Sequence, residues 1–71
     1  METVLIISNF PNKKSAMLCA EALIDQRLAA CVNVLSPCAS VYHWQGKMES
    51  TDEVPILIKT QRQHYDRVEQ L

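Results

Sequence analysis

A chain of 71 residues with a net charge of −1 and 48% apolar content is too apolar for disorder and too short for more than one domain, here residues 1–71. It has no Lys/Arg run, and so lacks the basic face that phosphate neutralisation demands; nucleic acid is not an expected partner. No apolar run reaches the roughly 20 residues of a membrane span, and the three cysteines, none in C-x-x-C spacing, suit neither a disulfide scaffold nor a zinc knuckle.

Residues 1–10 also lack a basic n-region and a small-residue cleavage site. The expectation is a soluble, cytoplasmic protein with reduced thiols and no membrane partner. A single core of this size is only marginally stable alone, so assembly is expected as well.

Thr3 to Ile7 is a β-branched apolar run of the kind found in strands buried on both faces. Phe10-Pro11-Asn12 ends it, and Asn12 or Ser15 can cap the next element by accepting from an unpaired backbone N–H. From Lys13 to about Leu28, the residues Ala16, Cys19, Ala20, Leu23, Ile24 and Leu28 recur at helical spacing, opposite a polar face. Cys19 reads as a small buried hydrophobe on that helix.

Cys31 to Leu35 returns to β-branched alternation, Ser36-Pro37 interrupts it and Ala39 to Trp44 resumes it, which predicts one long strand with a bulge at Pro37. Gln45-Gly46-Lys47 supplies a hairpin turn, because Gly46 takes a positive φ at no steric cost. The second arm has its centre at Glu53 to Thr60, with Pro55 favouring an edge or bulged position. Thr60 is a candidate N-cap for a short helix carrying Tyr65, Val68 and Leu71.

The order β-α-β-β-α is that of an α+β, ferredoxin-like β-α-β-β-α-β unit without its last strand. In that fold the last strand lies beside the first. The Thr3 to Ile7 strand is therefore expected to present an unpaired edge, open to aggregation or to strand addition from another chain.

There is no nucleophile motif or paired-carboxylate pattern, and one Gly cannot build a phosphate cradle; the chain does not read as an enzyme. Glu49, Asp52 and Glu53 read as a solvated loop edge. A soft cation would need thiolate or imidazole groups converging from several elements. Outside the helix core only Cys31, Cys38, His43 and His64 offer these. Cys31 reads as a small apolar group pointing into the core; as a reactive thiol it would need an exposed, electropositive setting, for which the sequence offers only Arg27.

Tyr42 and Trp44 share strand parity and so project from one face of the hairpin. A subunit interface would bury them; the alternative is packing of Trp44 over the first helix.

Three segments in register, Leu28-Ala29-Ala30-Cys31-Val32-Asn33-Val34, then Ser40-Val41-Tyr42 with Trp44 and Gly46, then Ile58-Lys59-Thr60, resemble the signature of the CutA family of divalent-cation tolerance proteins. The likeness runs from about Val4 to the last residue and stops before the family's closing segment, which makes this domain incomplete at its C-terminus. The resemblance implies a homotrimer with long hairpins reaching across neighbouring subunits, interface roles for Tyr42 and Trp44, and a link to copper or other divalent cations. The family's proposed metal ligands do not transfer: Ser8 stands where the family has a Cys, a poor exchange for a soft cation, and the closing segment with its His and Glu is absent. Metal binding would therefore fall to Cys31 or to a histidine such as His43.

Two further readings share the same fold. A PII-like trimeric signalling or scaffold module would bind a small effector or a protein partner in intersubunit clefts, but the Gly-rich and basic loops of its nucleotide-binding members are missing. An RNA-recognition fold has the same element order, but its aromatic motif is absent and the net charge has the wrong sign.

Overall fold

The computed structural model describes residues 2–71. The elements are β1 (Thr3–Phe10), α1 (Lys13–Asp25), β2 (Cys31–Val34), β3 (Cys38–Trp44) and β4 (Lys47–Gln61), followed by a 3-10 turn (Arg62–His64) and α2 (Tyr65–Glu69). β4 is central: β1 and β2 flank it in the order β1-β4-β2, and β3 continues the pairing beyond β2, all antiparallel to β4. β1 and β2 therefore run parallel to each other, joined by α1 with β4 inserted between them, which is the split β-α-β of a ferredoxin-like unit.

Asn12 is the cap of α1, its Oδ1 accepting from the Ser15 N–H at 2.8 Å. The helix stops three residues earlier than its apolar spacing suggests. Arg27 takes the left-handed conformation (φ 57°), the Arg27 N–H donates to the Ile24 carbonyl and the Leu28 N–H to the Leu23 carbonyl. This paired closure satisfies the last carbonyls and turns Leu28 back under the helix. Leu23 and Leu28 are both fully buried, and with Ala16, Val54, Ile56, Ile58 and Val68 they form the core between α1, α2 and one face of the sheet.

Strand alternation places Val4, Ile6, Ser8 and Phe10 of β1 toward this core and leaves Leu5 and Ile7 exposed on the other face. The expectation of a strand buried on both faces is thus corrected. Both helices lie on one side, so within one chain only that side is covered.

The interruption at Ser36-Pro37 is a one-residue bulge. Val34 pairs with Ile56 and Cys38 with Glu53, so Leu35, Ser36 and Pro37 stand against Val54 and Pro55 alone. Pro55 sits mid-strand in β4 rather than at its start. Its carbonyl accepts from Leu35, and since the N and C=O of a strand residue point the same way, its missing donor faces the bulge, where no ladder bond is lost.

The hairpin closes through Gln45 (φ 51°) and Gly46 (φ 77°) between the pair Trp44 and Lys47, the two-residue turn whose twist matches the strands. Gln45 pays the left-handed penalty that Gly46 avoids. Thr60 caps no helix. It lies in β4, buried, with its hydroxyl donating to the Leu28 carbonyl, so it anchors the end of α1 to the sheet. Glu49, Asp52 and Glu53 belong to β4 and not to a loop.

Candidate functional site

The helix-free face of the sheet is built from alternate residues of three strands. One row across it is Leu5, Lys59 and Cys31; the next is Ile7, Leu57 and Asn33. Leu5 is 63% exposed and Ile7 69%, a degree of exposure that large aliphatic side chains on a regular strand rarely keep in a finished assembly.

The bulge decides which way the hairpin faces. In β2 the even residues Val32 and Val34 point to the core, whereas after the extra residue the even residues of β3 pair with odd residues of β4. Tyr42 and Trp44 therefore share strand parity with Leu57 and Lys59, on the helix-free side. Tyr42 (44% exposed) touches the Thr51 hydroxyl at 3.2 Å, and Trp44 is 62% exposed and takes no part in the core. Packing of Trp44 over α1 is excluded. The hairpin extends the molecule to 42 Å against 23 and 18 Å in the other directions.

The sulfur and imidazole groups are dispersed. Cys31 is exposed on the helix-free face, which corrects its placement as a core group; its Sγ lies 4.0 Å from Asn33 Oδ1, and its cross-strand neighbour is Lys59. That neighbour was not legible in the sequence, because the pairing joins residues far apart in the chain. His43 lies opposite Met48 on the other side of the hairpin, away from Cys31.

Cys38 is exposed opposite Glu53, whose Oε2 already accepts from Ser40 at 2.9 Å. His64 lines a separate cleft with Arg27 and Ala30. Cys19 and Ser8 share a cleft with Phe10 and Val68, and burial pushes the Cys19 thiol up, which keeps it protonated. Among the described residues no three of His, Cys, Asp and Glu converge on a point where a metal ion could sit. One chain alone therefore does not fit a divalent cation.

A groove of about 510 Å³ runs between α1 and β2, lined by Met17, Ala20, Ile24, Val32 and Val34 together with Glu21 and Asp25. Its two carboxylates are unsuited to a phosphorylated effector. Among the described residues no helix is long and apolar enough to cross a membrane.

Residues 4–71 match the family model described as CutA1 divalent ion tolerance protein. The chain is 49% identical to mouse protein CutA over 51 residues, covering 72% of this chain and 29% of that protein. It is 40% identical to the divalent-cation tolerance protein CutA of Pectobacterium atrosepticum over 63 residues, covering 89% of this chain and 57% of that one.

Among solved structures, CutA1 from Shewanella sp. SIB1 superposes with a TM-score of 0.95 at 36% identity, over 99% of this chain and 65% of its own. The Archaeoglobus fulgidus protein, described as a periplasmic divalent cation tolerance protein CutA, gives 0.91 at 30% identity, over 97% and 67%. The chain thus spans about a third of the mouse relative and a little over half of the bacterial one.

Proposed function

Because the chain belongs to the CutA1 family of divalent ion tolerance proteins, we propose that it serves divalent-cation tolerance without catalysis, as a cytoplasmic homotrimer that binds copper or another divalent cation between its subunits. The observation that supports this most is the helix-free face: Leu5, Ile7 and Leu57 on the sheet and Tyr42 and Trp44 on the hairpin share one side, and a contact between subunits would bury it. A cation site follows the same logic. Donors that are exposed and separated within one chain can complete a coordination shell only where chains meet, and Cys31, on the face to be covered, is the donor placed to join it. The three free thiols suit a reducing compartment.

The test combines assembly with binding. Equilibrium dialysis against copper should give less than one ion per chain for the unaltered protein, and a loss of at least tenfold in affinity for both Cys31→Ser and the hairpin variant Tyr42→Ala/Trp44→Ala. Copper binding unchanged in both variants would contradict an intersubunit site at Cys31.

A further inference from the structure

One cross-strand pair of the hairpin carries metal-binding chemistry that neither the core nor the proposed subunit contact uses. The two-residue turn at Gln45-Gly46 closes on Trp44 and Lys47, and the closing residues of such a turn exchange both ladder hydrogen bonds. The next pair, His43 and Met48, then has no ladder bond between its own members. The bond from the Leu35 N–H to the Pro55 carbonyl fixes the same parity from the other end of β4: odd residues direct their backbone groups toward β2 and β3, and Met48 directs its own away. In a pair of this kind the side chains stand closest, with Cβ atoms about 4.5–5.5 Å apart.

His43 and Met48 lie on the face of the hairpin opposite Tyr42 and Trp44, and with Val41 and Tyr42 they line a cleft of about 260 Å³. Both are exposed, and Met48, at 72%, is the most exposed large apolar side chain among the described residues. Its thioether is not spent on the core. The turn alone sets the two side chains side by side, so their juxtaposition depends neither on assembly nor on what lies beside either edge of the sheet.

We propose that His43 and Met48 form a site for a monovalent soft cation, Cu(I) or Ag(I), held between the imidazole nitrogen and the thioether sulfur. Imidazole suits copper, and thioether sulfur selects its cuprous form. Bonds of about 2.0 Å to nitrogen and about 2.3 Å to sulfur set two opposed donors about 4.3 Å apart, a span that side chains rising together from a cross-strand pair can match. A monovalent d10 ion is satisfied by two donors in a line. Zinc and cupric ion take four and are left short of a shell, so this site is distinct from the cation site proposed between subunits.

Silver is the probe, because it keeps one oxidation state in solution. The full chain is used as Cys31→Ser/Cys38→Ser, which removes the two exposed thiols that would compete for the ion; Cys19 remains in its own cleft and takes at most one further equivalent. With the methionine methyls labelled with carbon-13, silver nitrate in chloride-free buffer at neutral pH should shift the NMR signals of the Met48 methyl and the His43 ring together. They should saturate at one ion per chain, at a concentration at least tenfold below that which shifts Met17, a thioether in a groove with no imidazole. His43→Gln should reduce the response of Met48 to that of Met17, and Met48→Leu should remove the early shift of the His43 ring. Zinc at the same concentrations should leave Met48 unmoved.

A Met48 methyl that shifts no earlier than Met17, or that keeps its early shift in His43→Gln, is adventitious thioether binding and overturns the proposal. An early shift with zinc overturns the assignment to a monovalent soft ion. Since the protein tested lacks Cys31, failure of the intersubunit site leaves these results unchanged, and failure here leaves the Cys31 result unchanged.

Discussion

Thr60 carries more of the structure than a surface threonine in a strand normally would. Its buried hydroxyl is bonded to the Leu28 carbonyl just after the left-handed turn at Arg27, so it holds the end of α1 against β4. Thr60→Val keeps the shape and leaves a buried acceptor unpaired. Chemical denaturation should show a loss of about 1–3 kcal/mol, whereas an exposed threonine would register within about 0.5 kcal/mol.

The cysteines differ at the same scale. Burial raises the Cys19 thiol, so less of it is thiolate at neutral pH and alkylation slows. In the Tyr42→Ala/Trp44→Ala variant, whose sheet face is free, peptide mapping after brief alkylation at pH 7.5 should show Cys31 and Cys38 modified ahead of Cys19. The lag of Cys19 should narrow as the pH is raised toward its elevated pKa. Equal rates for all three thiols at pH 7.5 would contradict the burial of Cys19.

Between elements, the one-residue bulge is decisive. Leu35, Ser36 and Pro37 against two residues of β4 reverse the strand parity and put Tyr42 and Trp44 on the helix-free side. Deleting Ser36 removes the extra residue and turns both aromatics to the opposite face, so light scattering should show the proposed trimer lost while circular dichroism retains the sheet. A trimer that survived the deletion would mean that facing is not what selects the interface.

This level also shows what the sequence could and could not disclose. The Ser36-Pro37 break, the Gln45-Gly46 turn and the Asn12 cap are local chemistry, readable from neighbouring residues. Facing and neighbours across strands are not local. Cys31 was assignable to the core or to the surface until its pairing with Lys59 was known. Thr60 looked like a cap because Thr commonly opens helices, yet its partner Leu28 is 32 residues away. Leu5 and Ile7 completed a run that suggested burial on both faces, and nothing local to β1 tells that both helices choose the same side.

For the whole molecule, the largest fully buried side chains among the described residues are Leu23, Leu28 and Ile56, a small core, and in the proposed function contacts between chains on the apolar side of the sheet supply further stabilisation. Assembly and folding should then be coupled, with the melting temperature rising with protein concentration. In the proposed function metal is secondary to assembly, because donors scattered within a chain would come together only after the chains do.

The most direct test is the mass of the purified 71-residue chain by light scattering behind size exclusion at neutral pH, with and without copper. The account predicts a multiple of three chains in both conditions. A monomer or a dimer in both would contradict it, showing that the helix-free face and its hairpin do not join chains in threes.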